Sequence, residues 1–189
     1  MTVTRPVPRD GSVEIASMVE NVPAFQAWQA FGAWVACLES FGYAVRAHTI
    51  NGRDYGGPQD RPRTIVTASQ GSAIDLPPSV PHERTTIGDC LDPDDSPANR
   101  WQSIPDSSER MLWRMRKAQA EAGSRCFWAN VSESRGRPLD DAFPTATTKS
   151  GTQWQLLDGD RRRVLNPREM ARSMSLPDTF AIPKRRDLS

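Results

Sequence analysis

The chain has 189 residues, with 24 lysines and arginines against 23 aspartates and glutamates, so its formal net charge is only +1. That balance excludes an overall basic field for nucleic acid, and any DNA contact must come from local clusters. Three scattered cysteines exclude a disulfide framework or a zinc site, and no apolar run reaches membrane-spanning length, so we expect a cytoplasmic protein with no metal and no membrane contact.

The first third of the sequence predicts strands around one helix. Residues 1–11 are typical of a flexible tail. The apolar run Val13–Met18 predicts a buried strand, and Pro23–Phe41, with apolar residues at threes and fours, predicts a helix. Tyr43–Ile50 places Tyr43, Val45 and Ala47 on one side and Arg46 and His48 on the other, and Thr64–Ala68 is rich in β-branched residues, so both segments predict strands.

From Gly71 the composition shifts toward proline and aspartate, which favours a surface excursion over packed layers. Within this region Thr85–Leu91 predicts one helical turn. Ser107–Glu121 has an apolar stripe and predicts the clearest helix. We expect Arg125–Val131 to form a strand and Phe143–Gln155 to be extended.

The last part of the chain predicts one more helix. Asn166 is a good N-cap, with Pro167 at the first helical position and Glu169 at the third, and the helix should run to about Ser175. Basic clusters also occur here and upstream, and each is either a DNA-binding patch or a solvated surface. They comprise Arg110, Arg114, Arg116 and Lys117; Arg161 to Arg163 with Arg168 and Arg172; and Lys184 to Arg186.

Three short motifs follow one another along the chain: Glu20-Asn21-Val22, Gln59-Asp60-Arg61-Pro62-Arg63 and Arg163-Val164-Leu165-Asn166-Pro167-Arg168-Glu169. In order and separation they resemble the later signature motifs of the DNA (cytosine-5)-methyltransferases. The runs Asn51 to Gln59 and Pro138 to Thr148 are also typical of that family. The family's earlier motifs, a Pro-Cys pair and a Phe-x-Gly-x-Gly turn, are absent from the 189 residues.

The resemblance implies specific roles for the first two motifs. In this family a thiolate attacks C6 of cytosine, and negative charge develops toward N3 and O2. Glu20 would donate to N3 and accept from the exocyclic amine; donation requires the protonated carboxyl, which burial favours. Arg61 and Arg63 lie two residues apart on an extended strand and therefore point to one side, where they would hold the base O2 and a phosphate. Gln59 would tie the adjoining loop beside the DNA.

The family rotates its target nucleotide out of the duplex, so the resemblance also implies a lobe that grips DNA. We expect residues 1–11 to form a tail, 12–84 the latter part of the catalytic core, 85–160 the target-recognition region, and 161–189 a returning helix and basic tail. Candidate DNA contacts in the recognition region are Arg114, Arg116, Lys117, Thr145, Thr147, Thr148 and Lys149.

The implied fold class is α/β, a partial Rossmann-like methyltransferase sheet with a small, mostly irregular target-recognition lobe. The implied function is methylation of cytosine C5 in duplex DNA. S-adenosylmethionine and the Pro-Cys nucleophile would be held mainly by a second polypeptide. Two alternatives stay open: a non-enzymatic, sequence-specific DNA-binding remnant, and a decayed gene fragment without activity.

Overall fold

The computed structural model describes residues 16–79, 83, 85–131, 135–147 and 153–182. The chain divides into two compact units. Unit 1 comprises Met1–Tyr55 and Arg61–Pro81, and unit 2 comprises Gly56–Asp60 and His82–Ser189. The expected tails, 1–11 and the Lys184 to Arg186 cluster, lie outside the described residues.

Unit 1 contains a three-stranded sheet in the order β1-β3-β2, antiparallel at both joints. Its strands are β1, Ala16–Asn21; β2, Tyr43–Asn51; and β3, Pro62–Gln70. The central strand β3 is buried from residue 64 to 69, as its β-branched composition favours. The strands predicted at Tyr43–Ile50 and Thr64–Ala68 are confirmed. Of the buried strand predicted at Val13–Met18, residues 13–15 lie outside the described residues, and β1 continues past Met18 to Asn21. The predicted burial is wrong, because no residue of this edge strand is buried.

The single helix predicted for Pro23–Phe41 is wrong. A 3₁₀ helix spans Pro23–Ala27, and helix α1 spans Phe31–Ser40. Between them Trp28 has an extended backbone (φ −63°, ψ 131°). The break accompanies an aromatic cluster in which the ring centroid of Phe25 lies 5.9 Å, 5.3 Å and 5.5 Å from those of Trp28, Phe31 and Trp34. Apolar spacing identifies these positions, but their ring packing is a tertiary feature.

Unit 2 is built on a five-stranded antiparallel sheet in the order β4-β8-β7-β5-β6. Its strands are β4, Gln102–Ser103; β5, Arg125–Ala129; β6, Gly136–Arg137; β7, Trp154–Asp158; and β8, Arg161–Val164. More than half of the described residues between 85 and 160 do lie outside helices and strands. The expectation of a surface excursion without packed layers is wrong, because both faces of this sheet carry buried apolar clusters.

Helix α2, Glu109–Ala122, covers one face of the unit 2 sheet and confirms the helix predicted at 107–121 apart from its ends. The buried cluster beneath it contains Ile104, Met115, Ala118, Cys126, Trp128 and Leu157. A Cβ on Gly136 would lie 2.1 Å from the carbonyl oxygen of Ala118, so only glycine permits this approach of β6 to α2. The other face carries Ile87, Cys90, Phe127, Ala129, Phe143, Trp154 and Leu165.

Helix α3, Pro167–Ser173, begins as the sequence predicts. The side-chain oxygen of Asn166 accepts hydrogen bonds from the backbone N–H groups of Arg168 (2.9 Å) and Glu169 (3.0 Å). The backbone N–H of Asn166 donates to Oε2 of Glu169 at 2.9 Å, which completes a capping box. The helix ends at Ser173, and Ser175 follows in a left-handed conformation (φ 62°).

Candidate active site

The register of β1 and β3 brings Glu20 and Arg63 together. Glu20 lies opposite Ile65, and Arg63 is two residues from Ile65, so all three side chains share one face of the sheet. Nε of Arg63 is 3.2 Å from Oε1 of Glu20. The Arg63 side chain is 17% exposed and the Glu20 side chain 58%. The carboxylate is therefore backed by a guanidinium on the β3 side and open to solvent elsewhere.

The arginines of the second motif have differently anchored side chains. Nη1 of Arg63 donates to the carbonyl oxygen of Pro62 at 2.7 Å, while Nη2 has no hydrogen-bond partner among the described residues. The half-buried guanidinium of Arg61 likewise has no hydrogen-bond or ion-pair partner within the described part of unit 1. Its backbone N–H donates to Oδ1 of Asn51 at 3.0 Å, which fixes the start of the Arg-Pro-Arg segment.

The turn after Glu20 is tied to the sheet by a side chain that the sequence did not single out. Nε2 of Gln26 donates to Oγ1 of Thr49 (2.9 Å) and of Thr64 (3.1 Å). Oδ1 of Asn21 accepts from the backbone N–H of Val22 at 2.8 Å, within the turn itself. The partners of Gln26 lie 23 and 38 residues away, so no local pattern could have indicated them.

Gln59 belongs to unit 2 and is buried. It forms a parallel bridge with Phe143, and its Oε1 accepts from the backbone N–H of Ala146 at 3.3 Å. The neighbouring Asp60 carbonyl accepts from Oγ1 of Thr145 at 2.9 Å. These bonds tie residues 56–60 to the 143–146 segment, and a DNA contact by Gln59 stays a prediction.

Two of the candidate recognition arginines are held by neighbours in unit 2. Nη1 of Arg114 donates to Oδ1 of Asn130 at 3.0 Å, and its guanidinium lies 5.2 Å from the ring centroid of Trp128. Arg116 forms an ion pair with Asp160. Both guanidiniums would have to keep or exchange these partners on binding DNA, so their recognition roles remain predictions.

The other recognition candidates are more exposed or undescribed. Nζ of Lys117 lies 5.7 Å from the ring centroid of Trp113, a residue that is 64% exposed. Thr147 is exposed at the end of its described segment. Thr148 and Lys149 lie outside the described residues. The DNA contacts expected of these residues stay predictions.

Arg163, one of the basic cluster at 161–172, lies in the interior of unit 2 and not on a DNA-binding or solvated surface. Arg163 and Glu169 are buried, and their two pairs of atoms, Nη1 with Oε2 and Nη2 with Oε1, are each 2.6 Å apart. Oε1 of Glu169 also accepts from the backbone N–H of Asp92 at 2.8 Å. This bidentate pair joins β8, α3 and the 91–92 segment inside unit 2.

A second carboxylate extends the same network toward the surface. Oδ1 of Asp92 accepts from Nη1 of Arg172 and Oδ2 from Nδ2 of Asn166, at 2.6 Å and 2.7 Å. Burial alone would raise the pKa of Asp92, but these hydrogen bonds and the nearby guanidiniums outweigh it and lower the pKa below its ordinary value.

We expect acid to destabilise unit 2 through Asp92. Its pKa is lower in the folded chain than in the unfolded chain, where it is about 3.9, so its contribution is full above that pH and is lost as the pH falls through the folded value. Free energies of unfolding measured between pH 7 and pH 3 should fall less steeply below about pH 4 in Asp92→Asn than in the parent chain. Parallel curves below that pH would contradict this role.

The cysteines offer no activated nucleophile. Burial raises the pKa of the Cys90 and Cys126 thiols to about 11, which keeps both protonated near neutral pH. Cys37 is exposed on α1 and does not follow a proline. None of the three cysteines of the sequence follows a proline, as the family's nucleophile does.

Over the ranges that the structure describes, no helix is long and apolar enough to cross a membrane. The same ranges contain no cluster of three or more histidine, cysteine, aspartate or glutamate side chains able to hold a metal ion.

The mixed α/β fold is that of methyltransferases, as similar solved structures show. A methyltransferase of Entamoeba histolytica, EhMeth, aligns with a TM-score of 0.53 and 17% identity over 88% of this chain and 52% of its own. A putative DNA modification methyltransferase encoded within an E. coli prophage aligns with a TM-score of 0.55 and 18% identity over 88% of this chain and 60% of its own.

Residues 16–188 match the family described as C-5 cytosine-specific DNA methylase, and the chain belongs to that family. The type II methyltransferase M.NlaX of Neisseria lactamica is 27% identical over 156 residues, which are 79% of this chain and 47% of that protein. The chain thus spans about half the length of this curated relative. Methyltransferases of the family generally use S-adenosylmethionine as the methyl donor.

Proposed function

We propose that this chain is the DNA-facing half of a DNA (cytosine-5)-methyltransferase and acts on a cytosine rotated out of duplex DNA. The observation that carries the proposal is the pairing of Glu20 with Arg63 on one face of the unit 1 sheet. N3, the exocyclic amine and O2 lie along one edge of a cytosine ring. A carboxyl on this sheet face could bond to N3 and the amine, and the guanidinium beside it could bond to O2.

Glu20 would select cytosine and stabilise the adduct. Its carboxyl would donate a hydrogen bond to N3 and accept one from the exocyclic amine. The donation to N3 would stabilise the negative charge that develops in the ring when a thiolate attacks C6. Donation requires a protonated carboxyl, and its 58% exposure shows that this chain alone leaves the group largely in water. The base and the rest of the enzyme would supply the enclosure.

The arginines would hold the everted nucleotide. Two atoms of the Arg63 guanidinium are anchored, Nε by Glu20 and Nη1 by Pro62, which leaves Nη2 available for the base O2 or a phosphate oxygen. Arg61, whose guanidinium has no partner within the described part of unit 1, has a backbone fixed by Asn51 and would take the second of these contacts. The anchored guanidinium of Arg63 would lose little freedom on binding.

The nucleophile and the methyl donor would come from a complementary polypeptide. The 189 residues contain neither a Pro-Cys pair nor a Phe-x-Gly-x-Gly turn, and the described sheet of unit 1 has only antiparallel joints. We define the cofactor-binding half as a polypeptide that carries both missing motifs and ends before its own Glu-Asn-Val strand.

Unit 2 would read the target sequence. It has its own sheet, two apolar clusters and the buried Arg163–Glu169 pair, and these would support recognition contacts from Lys117 and the exposed Thr147. Because unit 2 has its own sheet and buried apolar clusters, it also favours the alternative that the chain binds a DNA sequence without modifying it. Methyl transfer and binding must therefore be measured side by side.

The test mixes the full chain, a cofactor-binding half, duplex DNA and S-adenosylmethionine with a labelled methyl group. We expect label at cytosine C5 only when both polypeptides are present. A cofactor-binding half whose Pro-Cys cysteine is replaced by serine is the matched control and should give no label. Sequence-specific binding by the chain with no transfer in any mixture would support the DNA-binding alternative instead.

A further inference from the structure

Helix α2 has a basic face on the side away from the unit 2 sheet. Arg110, Trp113 and Lys117 are spaced three and four residues apart, so they lie together on one face of the helix, and all three are exposed. The buried Met115 and Ala118 lie on the opposite face, against the sheet. The helix carries four cationic side chains against two carboxylates, so it attracts anions although the whole chain is nearly neutral.

Trp113 is the unusual member of this basic α2 face, by which we mean Arg110, Trp113 and Lys117. At 64% exposure it is the most exposed large apolar residue among the described residues of unit 2. Nζ of Lys117 lies over one face of its ring, 5.7 Å from the centroid. The exposure leaves the other ring face open, and the indole N–H has no hydrogen-bond acceptor in the described part of the chain.

The four cations of α2 are not equally available to a ligand. Arg114 and Arg116 are already engaged by neighbours in unit 2. Arg110 is exposed, and its guanidinium has no hydrogen bond or ion pair among the described residues. Nζ of Lys117 is 4.0 Å from Oε1 of Glu121, a loose pair on the helix surface. Arg110 and Lys117 therefore supply the two available charges, and they flank the exposed ring.

An exposed aromatic ring between two cations matches the chemistry of an unpaired nucleotide. Sites for single strands combine aromatic side chains, on which bases stack, with cations that neutralise the phosphates. In duplex DNA each base face is covered by its neighbours in the stack, so the ring of Trp113 has no base to stack on. Phosphate contacts alone would use the cations but not the ring. The chain belongs to a DNA methylase family, which favours DNA over RNA as the strand.

We propose that the basic α2 face is a binding site for single-stranded DNA. One unpaired base stacks on the open face of the Trp113 ring, and Arg110 and Lys117 contact phosphate oxygens on either side of it. The recognition contact proposed for Lys117 concerns duplex DNA, and beside Trp113 the same ammonium also meets the phosphate of an unpaired strand. This site goes beyond the proposed function, because it requires neither Glu20 nor a methyl donor.

The experiment titrates the full chain into a fluorescent oligo-dT of about 12 nucleotides and measures anisotropy. We expect Trp113→Ala to weaken oligo-dT binding about tenfold, the scale of one base–aromatic stack, and Trp113→Phe to stay within about threefold of the parent. Phe180→Ala removes another exposed ring of unit 2 and should change affinity less than about twofold. The affinity of Trp113→Ala for a duplex of the same length should also stay within about twofold of the parent. Unchanged hydrogen exchange of the α2 amides checks that the variant stays folded.

A second arm of the experiment varies the salt concentration. Each phosphate contact to a single strand adds about 0.7 to the logarithmic slope with which binding falls as salt rises. Arg110→Gln should reduce the slope of oligo-dT binding by about that amount. Arg100→Gln, which removes an exposed arginine of unit 2 outside α2, should leave the slope unchanged.

Several results would overturn the site. They are the absence of oligo-dT binding, equal oligo-dT affinity of Trp113→Ala and the parent, and equal losses of oligo-dT and duplex affinity in Trp113→Ala. Equal losses would reduce the basic α2 face to a phosphate contact. Tighter binding of oligo-U than of oligo-dT would overturn DNA as the strand. Methyl transfer enters neither arm, so failure of the proposed function would leave these outcomes unchanged.

Discussion

In the reconstituted enzyme, Glu20→Gln is expected to reduce methyl transfer by about 10²-fold or more, because a positioned proton donor typically contributes about 10² to 10⁴. The amide keeps the size of the side chain and can still meet part of the base, so DNA affinity should stay within about threefold, on the order of 0.6 kcal/mol. Transfer is measured as label incorporated into duplex DNA, and affinity by titration of the same duplex without methyl donor.

Glu39→Gln supplies the matched control for Glu20→Gln. Glu39 lies exposed on α1 in the same unit, and its side chain has no hydrogen bond or ion pair among the described residues. Turnover of this variant should equal that of the parent. If Glu20→Gln also turned over at the parental rate, Glu20 would not act on N3 of the base.

The largest stability effect is expected for Glu169→Gln. Its carboxylate accepts from Arg163 at two atoms and from the backbone N–H groups of Asp92 and Asn166. The substitution leaves the guanidinium of Arg163 buried without its counter-charge, which typically costs about 3 to 5 kcal/mol. Hydrogen exchange of β7 and β8 amides measures the loss within unit 2, where a two-unit chain need not unfold in one step.

Asp160→Asn gives the comparison for an exposed pair. Its partner Arg116 and the aspartate are 44% and 76% exposed, so the change should cost less than about 1 kcal/mol. The double variant Arg163→Met with Glu169→Leu should recover part of the stability lost in Glu169→Gln, since no charge is then left unpaired. Equal losses in Asp160→Asn and Glu169→Gln would show that the buried pair has no special role.

Several strands and helices of the chain could be predicted because they depend on local sequence. The β-branched run of β3, the apolar stripe of α2 and the Asn-Pro-x-Glu start of α3 each specify one element. The proximity of Glu20 and Arg63 followed only from the family resemblance, since it depends on the register of β1 against β3.

The remaining features depend on partners distant in sequence. Nothing local distinguishes Arg163, which is buried, from Arg161, which lies half exposed over the ring of Trp101. Strands of two residues, such as β4 and β6, leave no periodic pattern. The break in the predicted Pro23–Phe41 helix likewise depends on ring packing and on hydrogen bonds from Gln26. In each case the tertiary structure decides between equally good local alternatives.

The most direct measurement is the distance from the Glu20 carboxyl to the target base in a crystal structure of both polypeptides with duplex DNA. Our account predicts an everted cytosine whose N3 and exocyclic amine lie within about 2.6 to 3.2 Å of the two Glu20 oxygens. It also predicts a guanidinium nitrogen of Arg61 or Arg63 at hydrogen-bond distance from O2. A cytosine that stays stacked in the duplex, or that is everted into a pocket lacking Glu20, would contradict the account.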